Sequence, residues 1–241
     1  MKYTTSITNI VNEHEFIRGY ALEELIKNHS FVETIFLILR GQLPTEKETK
    51  MLNALFTAAI DHGPGTASGQ VVRITASAKN NLHTSLAAGI LAMGERHGGA
   101  IEGAAKFFQF HVGEEHVAGL VKTFKQEKIR IPGYGHAVLK VDHRSKALFD
   151  MAREVGFFGK HCEFALAVHD ALNEQSSKPL PINIDGSMAA ILSDMGFDWQ
   201  IMKGLFIIAR VPGLVAHIYE EMTNDAGLRR LDQGEIEYVG R

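Results

Sequence analysis

One cysteine, Cys162, is the whole thiol content of this 241-residue chain. No intrachain disulfide can form, which fits a reducing compartment, and the cytoplasm is the expected location. Cys162 itself is expected to be inert packing. There are six prolines and one tryptophan, and no Pro/Ser linker, low-complexity tract or internal repeat marks a boundary. Positive charge is not in excess either. Lys and Arg total 25 against 28 Asp and Glu, a formal net charge of −3, and no basic cluster occurs, so nucleic acid is not an expected partner. The longest uninterrupted apolar runs, at 35–39 and 205–209, fall well short of the roughly 20 residues that cross a bilayer, so no membrane association is expected. The opening Met-Lys-Tyr-Thr-Thr is not followed by a signal-peptide core.

What is present is an ordinary hydrophobic share, 45%, enough for a substantial core. Its periodicity is helical. Apolar residues recur at three and four over 31–40, 46–61, 85–94, 115–126, 145–155, 161–173 and 199–221, and a further helix is expected over 186–195. Thr45 and Glu48 form a capping box, and Gly41 sits where a helix C-terminus wants glycine. Extended pieces are expected only near 3–10, near 128–131 and in the last few residues. The fold should be mostly α. The pairs Phe107/Phe108 and Phe157/Phe158, with Met188 and Met195, read as core.

Three short stretches combine glycine with groups that bind or transfer protons: Arg96-His97-Gly98-Gly99-Ala100, Ile131-Pro132-Gly133-Tyr134-Gly135-His136, and Pro181-Ile182-Asn183-Ile184-Asp185-Gly186. Glycine lets backbone N–H and C=O groups approach a ligand, and histidine exchanges protons near neutral pH. Asp142-His143-Arg144 follows the second stretch. The bland alternative for Asp185 is a helix N-cap. A third glycine and a surrounding βαβ unit are missing from Gly133-Tyr134-Gly135, and Gly63-Pro64-Gly65-Thr66 lacks Gly-Lys-Ser/Thr, so NAD and ATP are not expected. Twelve histidines invite a metal reading. His111 and His116, however, lie about 140° apart around a helix, and no His-Glu-X-X-His occurs, so no metal site is expected.

In this order the three stretches resemble the citrate synthase superfamily, with its His-Gly-Gly-Ala turn, Pro-Gly-Tyr-Gly-His loop and Pro-Asn-Val-Asp element. Ile208-Ala209-Arg210-Val211-Pro212-Gly213 through Met222 resembles the helix that closes the family's site. The resemblance implies a large helical domain, 1–97 and 185–241, holding a dimer interface, and a smaller helical lid domain, 98–184. It implies His97, His136 and Asp185 as catalytic residues: Asp185 at the methyl carbon of acetyl-CoA, His97 at the thioester oxygen, His136 at the oxaloacetate carbonyl. Arg144, Arg210, His62 and one of Arg229 or Arg230, with Arg230 preferred, would bind carboxylates. Arginine suits that role because its planar fork meets a carboxylate bidentately. The last arginine would complete the site of a partner subunit in a homodimer or higher homo-oligomer. Coenzyme A would lie along the backbone of Pro132, Gly133, Tyr134 and Gly135, with Lys178 near its phosphates, as a substrate thioester and not a permanently bound cofactor.

The short N-terminal part, Asp61-His62-Gly63-Pro64 and Asn183-Ile184-Asp185-Gly186 lean toward the citryl-CoA lyases, including the lyase module of ATP-citrate lyase. The expected activity is therefore cleavage of citryl-CoA to acetyl-CoA and oxaloacetate. A compact citrate synthase, or a relative using another acyl-CoA or 2-oxo acid, is the alternative enzyme. A non-catalytic CoA-binding homologue is the alternative of another kind.

Overall fold

A computed structural model describes residues 2–135 and 141–240. The chain opens with a small antiparallel meander, β1 (Thr8–Val11), β2 (His14–Ile17) and β3 (Tyr20–Ala21), in the order β1-β2-β3. All else of regular form is helical: α1 (Leu22–Asn28), α2 (Phe31–Arg40), α3 (Glu46–Ala59), α4 (Ala67–Ser77), α5 (Leu82–Leu91), α6 (Ala100–His111), α7 (Val117–Gln126), α8 (His143–Val155), α9 (Lys160–Glu174), α10 (Ile184–Asp194) and α11 (Met202–Asn224), with single 3-10 turns at Trp199–Ile201 and Gln233–Glu235.

The helical reading of the periodic segments holds, and so do the predicted caps. Thr45 and Glu48 bond each other's backbone N–H at the start of α3, and Gly41 ends α2 in the left-handed conformation. The extended pieces need correcting. Strand structure begins at Thr8 and runs on through the meander to Ala21, while 128–131 and the C-terminal residues described form none. A strand needs a partner edge, which the hairpin supplies and an isolated four-residue piece does not; Lys128 also turns the chain at φ 57°. Helices α1, α4 and α6 lie outside the periodic segments. The one glycine, the serines and the β-branched residues of α4 mask its stripe, yet Val72 and Ala76 are buried.

Two helices organise the core. Every residue of α10 from Gly186 to Ser193 is buried, and the helix packs against α6, α8 and α9. Its small side chains, Gly186, Ser187, Ala189 and Ala190, allow that enclosure, and the hydroxyls of Ser187 and Ser193 are satisfied by carbonyls of their own helix. The other is α11, which packs against α3, α4, α5 and α6. With its preceding turn, 199–224, it is long and apolar enough by composition to cross a membrane, at mean hydropathy 1.6, which run length alone did not show. Core helices pass the same test. Its Leu205, Phe206, Leu214 and Ile218 are buried together with Arg210 and Glu221. Gln109 of α6 joins the two, donating to Ser193 Oγ (3.0 Å) and Phe197 O (2.8 Å) and accepting from Trp199 N (3.2 Å). The ammonium of Lys106 lies 4.8 Å from the centre of the Trp199 ring. Phe107, Phe108, Met188, Met195 and Cys162 are buried as predicted, Phe157 and Phe158 pack at the margin, and burial pushes the Cys162 thiol far up.

Helix α9 has no cap of its own, and α10 supplies one. Asp194 accepts from Gly159 N (2.9 Å), His161 N (3.0 Å), Cys162 N (3.0 Å) and His161 Nδ1 (2.9 Å). Burial works to raise its carboxyl, but these donors outweigh it and hold the group below its ordinary value. The carboxylate therefore stabilises the fold above pH about 4, and that contribution is lost as acid protonates it. Asp194→Asn should cost roughly 2 kcal/mol at pH 7 in a denaturant melt, with the gap to wild type closing as the pH falls below the ordinary aspartate value of 3.8.

Candidate active site

The Pro132–Gly135 loop is tied to the start of α10 by backbone. Asn183 N donates to Gly133 O (3.0 Å) and Gly135 N to Pro181 O (2.7 Å), with a β-bridge between Tyr134 and Ile182. Asn183 Nδ2 donates to Gly135 O (2.9 Å), and its Oδ1 caps α10 by accepting from Gly186 N (3.1 Å). Asn183, not Asp185, is thus the N-cap. Gly133 and Gly135 stand at φ 88° and 86°. A Cβ on Gly133 would fall 2.8 Å from Gly186 Cα, and one on Gly186 would fall 2.4 Å from Gly133 O, so neither backbone tolerates a side chain. Tyr134 points inward. Its hydroxyl donates to Ala165 O (2.8 Å) and its ring meets Phe108 edge-on.

That tether leaves Asp185 in the first turn of α10, with Oδ1 shut off from solvent and without a hydrogen-bond partner among the described residues. Burial pushes its carboxyl up to about 6, against the pull of Arg210 and Arg144 and with a push from Asp142. Both guanidiniums are fixed. Arg144 grips Asp142 through Nε (2.9 Å) and Nη2 (2.8 Å), and its Nη1 stands 3.3 Å from His62 Nδ1. Arg210, buried in α11, donates from Nε to Ala59 O (2.7 Å) and lies over Phe206. Burial lowers its proton affinity, while Asp61 and Asp185 support its charge.

His97 follows α5 on a turn whose Gly98, at φ 73°, packs against Met93 and Phe206. Its Nε2 is 2.8 Å from Oγ of Ser68, a fully buried residue of α4. Burial, then Arg210 and His62, hold its imidazole below the ordinary value, hence neutral at pH 7. The structure therefore gathers His62, His97, Arg144, Arg210 and Asp185 into one electrostatic cluster, bordered by Pro132–Gly135.

His136 is outside the described residues. Lys178 is exposed on a loop pinned by Ser176 Oγ. Arg229 is held by the buried carboxylate of Glu221 (2.6 and 2.8 Å), and both it and Arg230 line a cavity of about 460 Å³ with Pro64, Gln70, Arg73 and Leu231. Among the described residues no His, Cys, Asp or Glu group could hold a metal ion.

Sequence reasoning missed two supporting residues. Asp142 is buried, caps α8, holds Arg144 and accepts from Ile184 N (3.1 Å), so one carboxylate joins an arginine of the cluster to the residue before Asp185. Its place just ahead of a periodic segment was the available signal. Ser68 carried none, because its partner is 29 residues away.

Comparison with known proteins gives a matching family description, "Citrate synthase, C-terminal domain", over residues 2–54 and 45–231. The solved structure of citryl-CoA lyase from Hydrogenobacter thermophilus is 46% identical, with 99% of this chain and 95% of that one covered at a TM-score of 0.93. The ATP citrate lyase of Methanosaeta concilii, solved in complex with (3S)-citryl-CoA, shares the fold at 24% identity and a TM-score of 0.91, covering 100% of this chain and 42% of that one. "Citrate synthase 2" of Bacillus subtilis (strain 168) is 28% identical over 92% of this chain, which spans 59% of that protein's length.

The site's electrostatics give a stability prediction independent of activity. Asp185 binds its proton more tightly folded than unfolded, so the stability it contributes is fully present below its ordinary value of 3.8 and is lost as the pH rises through about 6. Asp185→Asn removes that penalty. Its Tm should exceed wild type by roughly 3–8 °C at pH 8, with little difference at pH 4, in parallel thermal melts.

Proposed function

We infer that this chain, which belongs to the citrate synthase family, is a citryl-CoA lyase, cleaving citryl-CoA to acetyl-CoA and oxaloacetate. The observation that carries the reading is Asp185: a carboxyl in a dry setting, one oxygen unpartnered, within the field of two fixed guanidiniums. A proton held there to a pH of about 6, well above the ordinary aspartate value, is what an enolate carbon needs. The likeness to the Hydrogenobacter lyase over nearly the full length of both chains supports it.

In the proposed reaction His136 takes the hydroxyl proton of citryl-CoA, the new carbonyl forms, and the electrons of the breaking carbon–carbon bond pass into the thioester as an enolate. His97, neutral and braced by Ser68, donates a hydrogen bond to the thioester oxygen while charge builds there. Protonated Asp185 then delivers its proton to the enolate carbon, giving acetyl-CoA. Arg144, Arg210 and His62 hold the carboxylates of the oxaloacetate portion. Coenzyme A lies along the backbone of Pro132–Gly135 with Lys178 near its phosphates, and residues 98–184 close over it as a lid on 1–97 and 185–241. Arg230, or Arg229 beside it on the same cavity, would complete the site of a second copy in a homodimer or larger homo-oligomer.

A compact citrate synthase is the second reading, favoured by the Bacillus subtilis relative. It differs in also hydrolysing citryl-CoA. Purified protein mixed with citryl-CoA should release oxaloacetate, followed through malate dehydrogenase and NADH, with no matching rise in free thiol. Free thiol with citrate would instead make it a synthase, and neither product would point to another acyl-CoA or to a CoA-binding role. Asp185→Asn should lower kcat at least about 1000-fold with CoA affinity within about threefold, and Arg210→Lys should raise KM about tenfold or more. Substantial cleavage by Asp185→Asn would remove that residue from the chemistry.

A further inference from the structure

Successive turns of α11 meet successive residues at the end of α3. Arg210 Nε donates to Ala59 O (2.7 Å). One turn on, Gly213 sits against Ile60, where a Cβ would fall 2.4 Å from Ile60 O and 2.9 Å from Asp61 Cβ. Another turn on, His217 Nε2 is 3.1 Å from Asp61 Oδ1. These positions, spaced by three and four, share one face of the helix. Glycine at 213 lets the two segments close, so that His217 reaches the next residue along.

Asp61 does two things with that contact. One oxygen meets His217 and the other accepts from Gly63 N (2.9 Å), so its carboxylate spans His62 and closes the turn that Gly63 makes at φ 78°. His62 stands against Arg144 from this turn. The second ring nitrogen of His217, Nδ1, faces Arg73 Nη1 at 3.4 Å. A guanidinium only donates, so Nδ1 is the acceptor and Nε2–H the donor to Asp61. Arg73 is itself held by Glu221 (2.8 Å) and Glu220 (3.1 Å), and Glu221 by Arg229 of the C-terminal tail. Among the described residues, the ring nitrogens of His217 meet Asp61, Arg73 and, at 3.9 Å, Glu220.

We propose that His217 is a positioning residue for the carboxylate-binding end of the site, acting through Asp61 on the turn that carries His62; this rests on the function proposed above. It sets affinity for the oxaloacetate portion and leaves the CoA portion and the bond-breaking step alone.

The test is calorimetric binding of oxaloacetate and, separately, of CoA to wild type, His217→Ala, His217→Gln, Asp61→Asn and the double variant His217→Ala/Asp61→Asn, with citryl-CoA kinetics alongside. His217→Ala should weaken oxaloacetate binding and raise KM by about tenfold or more, with kcat and CoA affinity within about threefold. His217→Gln, which keeps an N–H for Asp61, should recover most of the loss, and the double variant should be no worse than the weaker single one. Unchanged oxaloacetate affinity in folded His217→Ala overturns the proposal, as does a parallel fall in CoA affinity and kcat. Should His217→Ala fail to fold, His217→Gln and Asp61→Asn decide it by the same two ligands. A wild-type protein that neither binds oxaloacetate nor cleaves citryl-CoA overturns the function and this inference together. An active wild type with an unaltered variant overturns the inference alone.

Discussion

The contact between the backbones of Gly133 and Gly186 is the constraint on which the site depends. Gly186 could not carry a Cβ without striking Gly133 O, and Gly133 could not carry one without striking Gly186 Cα. Because the two segments touch at this point, a loop that also packs on α6 is laid along the first turn of α10. Asn183 then fastens both, bonding the loop through its amide N–H and side chain and capping the helix with its Oδ1. Asp185 inherits its position from that junction.

Charge is balanced around the junction, with one group left over. Arg144 is matched by Asp142, whose buried carboxylate also accepts from Ile184 N. Arg210 is anchored by a carbonyl and an aromatic face and draws on Asp61 and Asp185. Buried ion pairs add little net stability by themselves, but their geometry is rigid. Here rigidity keeps two cations near Asp185 without either neutralising it through a direct hydrogen bond to Oδ1. Burial wins over attraction, and the carboxyl holds its proton to unusually high pH.

The helices and most of the cluster were legible in the sequence because their signals are local. The capping box at Thr45, the glycine after α2 and the three- and four-residue recurrence are physical requirements of a helix that involve only neighbours in the chain. His62, His97, Arg144, Arg210 and Asp185 stood out as ionisable groups near glycine or in a recognisable motif. What was illegible was set by distant partners. Ser68 looks like any helical serine until His97 folds over it, and Asp61 looks like a turn residue until α11 arrives. The β2–β3 extension was hidden because strand pairing depends on an edge, and α4 because its small and polar residues, Ser68 and Gly69 among them, blur its apolar stripe, while the close approach to α5 is made by Gly89 of that helix. Arg229 and Arg230 could not be told apart by sequence; the structure pairs Arg229 with the buried Glu221 and sets both beside one cavity, so the choice between them stays open.

The sole tryptophan gives the molecule a built-in optical probe. Trp199 sits where α6, α10 and α11 converge, with the Lys106 ammonium over its ring and its backbone N–H held by Gln109. Indole emission responds to nearby charge, and both of these neighbours belong to α6, on the other side of the expected lid boundary. Any shift of α6 against α11 alters the electric field at one chromophore, so closure would change the colour and yield of the protein's own fluorescence with no label attached.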